Sequence, residues 1–337
     1  MDTLETSPVV LTGDRPTGPL HLGHYAGSLE QRLQLQNKYR QYVLIADVQA
    51  MTDYFNQPEF LARQVREIML DYLSVGLDPA KTTFVLQSQI PEISELFVYF
   101  LNLITLARLQ RNPTVKDEMK QKKIGADIPA GFLTYPVHQA ADITVFGAAL
   151  VPVGEDQLPM IEQTREIVRT FNRTYGDTLV EPRALLSRVP RLPGIEGRSK
   201  MSKSLGNTIP LHSDPGFVER QVMRMYTDPL KIHASDPGHV EGNVVFSYLD
   251  AFDPDQEGLA GLKERYISGK TGDVAVKKRL IAVLNDFLFP LRAKRKEWER
   301  HIPSVLEILR DGTVKAGQQA RDTMGRVRGA LKMEQFL

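Results

Sequence analysis

The chain has 337 residues and no cysteine. Disulfides, thiolate metal centres and cysteine nucleophiles are therefore excluded. No apolar run approaches the ~20 residues needed to span a bilayer. The opening residues, Met1-Asp2-Thr3-Leu4-Glu5-Thr6, are acidic. They lack the basic and apolar regions of a signal peptide, so a cytoplasmic protein without membrane contact is expected. Charge of either sign is not in excess. The formal net charge is +1, which supplies no global attraction to nucleic acid. Internal repeats and low-complexity segments are also missing. What is present, 42% hydrophobic and 25% charged residues, is ordinary for a globular protein. The length allows two domains and a sizeable core.

The first half alternates short apolar runs with helical patterns. Val9-Val10-Leu11-Thr12 ends at Gly13, and Pro16-Thr17-Gly18-Pro19 follows as a turn. Tyr25, Leu29 and Leu33 then recur at helical spacing. Tyr42 to Ala46 and Thr83 to Leu86 read as further buried strands, with an amphipathic helix over 59–75 between them. Residues 92–123 read as helix and then loop, with Lys116, Lys120, Lys122 and Lys123 crowded together. Val151 to Gly154 predicts another strand, and Leu185 to Val189 a last one. Continuous apolar strands separated by helices predict βαβ units and a parallel sheet covered on both faces. Such sheets bind ligands at the carboxyl ends of their strands, where Gly13, Asp47 and Gln87-Ser88 fall. Beyond residue 213 strand-like runs disappear. Helical spacing appears at Leu280, Leu284, Phe287, Leu288 and Leu291, and again over 303–332. The expected fold is α/β, a Rossmann-type nucleotide-binding domain over 1–212 followed by an all-helical domain over 213–337.

Two short strings carry chemistry. Lys200-Met201-Ser202-Lys203-Ser204 is closed by Leu205-Gly206-Asn207. It is a poor helix and a poor strand, and suits a mobile loop that brings two ammonium groups to one polyphosphate. His21-Leu22-Gly23-His24 lies between the first strand and the first helix. A helix start offers unpaired N–H groups and a positive dipole end to an anion. Gly23 removes a side chain where a flat base can lie close, and the imidazoles can donate to a phosphoryl oxygen gaining charge. Residues 277–300 form a local basic stretch, with Lys277, Lys278, Arg279, Arg292, Lys294, Arg295, Lys296 and Arg300 against Asp286, Glu297 and Glu299. Such a face can bind a phosphate backbone on a near-neutral protein. Trp298, among these charges, is expected to pack between helices rather than stack on a base.

Together the two strings resemble the signatures of class I aminoacyl-tRNA synthetases. Gly131 to Ile143, with Tyr135-Pro136-Val137-His138-Gln139-Ala140-Ala141-Asp142, leads into Val151-Pro152-Val153-Gly154-Glu155-Asp156-Gln157. This third stretch resembles the amino-acid and ATP pocket of bacterial-type tryptophanyl-tRNA synthetases. The resemblance implies activation of L-tryptophan with ATP and Mg2+, giving an adenylate and pyrophosphate, then transfer to tRNA(Trp). It implies a homodimer, an anticodon-reading helical domain and no protein-ligated metal. It also implies roles for residues. His21, His24, Lys116, Lys200 and Lys203 would serve catalysis. Gly18, Gly23, Gly154, Asp156, Met201, Ser202 and Ser204 would join them around ATP. Leu11, Gly13, Gln49, Gln139, Asp142, Val151, Val153 and Gln157 would surround tryptophan, with Asp142 accepting the indole N–H and Gln157 holding the ammonium. Lys294, Arg295 and Lys296 would contact tRNA.

Five positions depart from the family pattern. Leu11 stands where an aromatic is usual, Gln139 for a methionine, Gln49 for a histidine, and His21 and His24 for Thr and Asn in many relatives. The first three imply a roomier, more polar slot that accepts ring-substituted tryptophans. Two other readings remain open: a tyrosyl-tRNA synthetase, or an accessory paralogue serving a partner protein.

Overall fold

A computed structural model describes residues 7–122, 128–186, 192–197, 201, 205–231, 233 and 235–333. Five strands form one parallel sheet: β1 (Val9–Asp14), β2 (Arg40–Ile45), β3 (Thr82–Leu86), β4 (Leu150–Val153) and β5 (Arg183–Leu186). Residues 187–189 of the expected last strand lie outside the described residues. The strand order is β3-β2-β1-β4-β5. The chain therefore builds outward from β1 to β3, then returns to the other side of β1. That reversal opens a crevice beyond the carboxyl ends of β1 and β4, the place where open α/β sheets hold ligands.

Between the strands run α1 (Leu22–His24), α2 (Glu30–Leu35), α3 (Asp47–Tyr54), α4 (Pro58–Val75), α5 (Pro91–Leu101), α6 (Leu106–Gln110), α7 (Pro113–Lys122), α8 (Ala130–Val145) and α9 (Leu158–Tyr175). Residues 92–123 were expected to run from helix into loop. The segment after residue 101 is helical through α6 and α7, and Lys116 and Lys120 sit on α7. The C-terminal part holds α10 (Pro215–Met223), α11 (Val244–Phe252), α12 (Gln256–Ile267), α13 (Asp273–Glu299) and α14 (Ile302–Ala330). No described helix is long and apolar enough to cross a membrane.

Strand alternation sorts the core into two layers. Val43, Ile45 and Phe84 face one apolar cluster, together with α4 and α10–α13. Tyr42, Leu44 and Val85 face the other, with α5, α8 and α9. Helix α14 crosses between them. Val305 and Leu309 join the first cluster, and Ala316, Ala320, Met324 and Val327 the second. The crossing is tight, since a Cβ at Gly312 would stand 2.3 Å from the Phe84 carbonyl oxygen. Thr313 accepts the Leu86 N–H through Oγ1 at 3.0 Å. An otherwise open edge of the sheet is thereby covered.

The basic stretch of α13 is partly internal. Arg295 was expected to contact tRNA; instead it is buried at 7% exposure. Its guanidinium pairs with Asp71 and Glu67 on α4 and with Glu299 on its own helix. A guanidinium desolvated among three carboxylates cannot also serve a phosphate backbone. Lys277 is likewise turned inward, donating to the carbonyls of Met223 at the end of α10 and Met225 just after it. Lys294 and Lys296 are exposed, and Trp298 packs against the first apolar cluster.

Candidate active site

The segment from Gly18 to His24 is fixed at both ends. Gly18 has φ +129°, a conformation that favours glycine. The Leu20 N–H donates to the buried carboxylate of Asp71 at 2.8 Å. His21 caps α1: its Nδ1 accepts the Gly23 N–H, and the Nδ1 of His24 accepts the His21 N–H, both at 3.2 Å. With both Nδ1 atoms accepting, the ring proton of each neutral imidazole sits on Nε2. The ring centroids are 3.8 Å apart. The following turn, Tyr25–Leu29, is π-helical, a form common at functional sites and not predicted by apolar spacing.

The two signature strings meet. Leu22 N–H donates to the Ile209 carbonyl at 3.0 Å and Leu211 N–H to that of Leu20 at 2.9 Å, so the exit from the lysine string is stitched to the histidine string. Met201 is buried against Gly23, where a Cβ would stand 2.9 Å from its Sδ. Lys200, Ser202, Lys203 and Ser204 lie outside the described residues.

A cleft of about 870 Å3 opens here, at the switch point of the sheet. Leu11, Gly13, His21, His24, Gln49, Gln139, Asp142, Val151, Gln157 and Met201 all line it. Gly13 also has a packing reason, since a Cβ would stand 2.4 Å from the Leu44 carbonyl oxygen on β2. Six described residues expected at the site are not in the lining: Gly18, Gly23, Lys116, Val153, Gly154 and Asp156. Val153 packs against the second apolar cluster. Gly154 and Asp156 belong to the short turn after β4, where the Asp156 carbonyl accepts from the Thr114 hydroxyl at 2.9 Å. Lys116 is exposed on α7, whose Glu118 lines the cleft instead.

Asp142 lies inside α8, not at its N-cap, and is 3% exposed. Both carboxylate oxygens accept from Nε2 of Gln87, at 2.8 and 2.9 Å. The Nδ1 of His138 is 3.8 Å away. Burial pushes the His138 imidazole pKa down, but the hydrogen bond and charge of Asp142 outweigh it and leave the pKa raised.

Sequence reasoning gave no site role to Gln87, which stands behind Asp142, or to Tyr135 and Asp14, which line the cleft. Gln87 follows the end of β3, a position already marked as a strand end. Tyr135 was legible only as one letter of the third stretch. Burial, with Glu118 beside it, pushes its phenol pKa up. Asp14 ends β1, and carried no signal of its own. Arg32 donates to it at 2.6 Å and Tyr72 at 2.7 Å. Burial alone would raise its pKa, yet the Arg32 charge and the hydrogen bonds from Arg32 and Tyr72 hold the carboxyl well below the usual range.

Residues 3–289 match the family described as tRNA synthetases class I (W and Y). The tryptophan–tRNA ligase of Clostridium longisporum is 54% identical over 97% of this chain and 98% of its own length. That of Streptococcus mutans is 52% identical over 98% of this chain and its own full length. The tryptophanyl-tRNA synthetase of Campylobacter jejuni, solved with ADP and tryptophan, superposes with a TM-score of 0.85. It is 32% identical over 96% of this chain and 99% of its own. The chain belongs to the class I tRNA synthetases of the tryptophan and tyrosine group.

Proposed function

We propose that this chain activates L-tryptophan with ATP, giving tryptophanyl-adenylate and pyrophosphate, and transfers the tryptophan to tRNA(Trp). The observation that carries this reading is the union, in one cleft, of His21 and His24, the Met201 segment and a buried carboxylate, Asp142. The full-length relatives that ligate tryptophan favour it over tyrosine.

The tryptophan carboxylate attacks the α-phosphorus, so the protein's task is positioning and charge stabilisation. Asp142 accepts the indole N–H, and Gln157 holds the ammonium. His21 and His24 donate through Nε2 to phosphate oxygens as charge develops there. Adenine lies along Gly23 and Met201, and Lys200 and Lys203 hold the departing pyrophosphate. Lys116, outside the cleft lining, is assigned no role. Mg2+ enters with the triphosphate as part of the substrate. Two cleft carboxylates, Asp14 and Asp53, are already paired with Arg32 and Arg15. The family resemblance supports a homodimer in the cytoplasm. Leu11, Gln49 and Gln139 line the same cleft as Asp142, which supports acceptance of indoles with a polar ring substituent. Activation that collapses for every substituted indole would remove that part of the reading.

ATP–pyrophosphate exchange with tryptophan and with tyrosine, followed by charging of tRNA(Trp), tests the whole. Exchange with tryptophan and rapid charging are expected, and Asp142→Ala should lose the exchange. Preference for tyrosine, or activation without charging, would overturn it.

A further inference from the structure

We infer that Gln87 is a positioning residue for indole recognition, holding the Asp142 carboxylate so that its remaining lone pairs face the cleft. The inference rests on the reading that Asp142 accepts the indole N–H. Gln87 opens the short turn after β3 and is 2% exposed. Its two ends do different work. Nε2 bridges both oxygens of Asp142, and Oε1 accepts the Gln49 N–H at 3.1 Å. That second bond fixes the amide's orientation. Flipped, its oxygen would confront a buried carboxylate and leave the Gln49 N–H without this acceptor. One side chain thus ties the end of β3, the start of α3 and the middle of α8 to a single carboxylate.

The kind of donor matters. No Lys or Arg pairs with Asp142 among the described residues. A guanidinium would engage both oxygens bidentately and leave the carboxylate little reason to receive a ligand. A neutral amide fixes the carboxylate without neutralising it. The only titratable neighbour with a described contact is His138, 3.2 Å from Gln87 Nε2. Asp142 is therefore oriented and still able to accept. Without the amide its carboxylate is free to turn about its last torsion, which has broad preferences.

The test compares tryptophan with 3-(3-benzothienyl)alanine, in which sulfur stands where indole has N–H. ATP–pyrophosphate exchange is measured for the wild type, Gln87→Met and Gln87→Glu. Gln87→Met keeps the length and removes the donor. It should raise the tryptophan KM roughly 10- to 100-fold, with kcat and the ATP KM changed far less. The preference for tryptophan over the sulfur isostere should fall by a similar factor. Gln87→Glu keeps the acceptor for the Gln49 N–H but sets a second carboxylate against Asp142, and should lower the preference further. If either folded variant loses activity on both substrates equally, or keeps the full preference, Gln87 is only structural and the inference fails while the Asp142 reading stands. If the wild type itself does not prefer tryptophan to the isostere, the Asp142 reading fails and takes the inference with it.

Discussion

Replacing Arg295 by methionine probes the link between α13 and the histidine string. The Arg295 side chain is 8% exposed and that of its partner Asp71 1%. Asp71 also receives the Leu20 N–H, one residue before His21. Removing one member of a buried ion pair costs about 3–5 kcal/mol, because the other charge is left desolvated. Several features hold the cost near the lower bound. Asp71 keeps the Leu20 N–H, and His212 Nδ1 lies 3.7 Å away. Glu67 and Glu299, at 27% and 46% side-chain exposure, regain water. Methionine replaces much of the buried stem. The expected loss is therefore about 3 kcal/mol. At roughly 2.1 cal/mol/K per residue, the unfolding entropy of the chain is about 0.7 kcal/mol/K, so Tm should fall by about 4 °C. Urea midpoints should shift in the same direction. Asp71→Asn in the same background removes the stranded charge, so the double variant should be less destabilised than the sum of the singles. Asp71→Asn also replaces the charged acceptor of the Leu20 N–H by a neutral one, so the ATP KM should rise in that variant. An Arg295→Met protein with unchanged Tm and urea midpoint would refute the burial argument.

Three further outcomes are expected. Neutralising Lys294 and Lys296 to glutamine should weaken tRNA binding and lower its salt slope by roughly one unit per lost phosphate contact, with tryptophan activation unchanged; an unmoved slope would make them solvated residues only. Gly312→Ala should destabilise the protein, although alanine gains about 1 kcal/mol over glycine in an open helix, because the new Cβ would meet the Phe84 carbonyl oxygen at 2.3 Å. A raised urea midpoint would show that α14 is not held against β3. His138 has its pKa raised above the ordinary 6.5 by Asp142, so its contribution is fully present below that pH and is lost as pH rises through the folded value. The stability margin of the wild type over His138→Gln should shrink as pH rises, and a margin that grows would contradict the His138–Asp142 interaction.

Much of this protein was legible along the chain. Val9 to Thr12, Tyr42 to Ala46 and Thr83 to Leu86 are apolar on both faces, and only a sheet covered on both sides uses such runs. The histidine and lysine strings named the chemistry, because a helix start and paired ammonium groups suit phosphate wherever they occur. Asp142 stood out by its context. Other features depended on partners far away in sequence. Arg295 looked like one cation in a basic stretch, and Asp71, 224 residues earlier, is what desolvates it. Gln87 carried no local pattern, and its role arises because α8 returns to the end of β3. Val151 and Val153 share one face of β4, yet only Val151 lines the cleft. Residues 213–337 read as a separate helical unit, but α14 supplies side chains to both apolar layers and closes the edge of β3. Local pattern and residue chemistry determined the strands, helices and reaction class, since those follow from period and functional group. Tertiary structure decided which charges lose water and which amide meets which carboxylate, because desolvation and hydrogen-bond geometry belong to groups brought together across the fold.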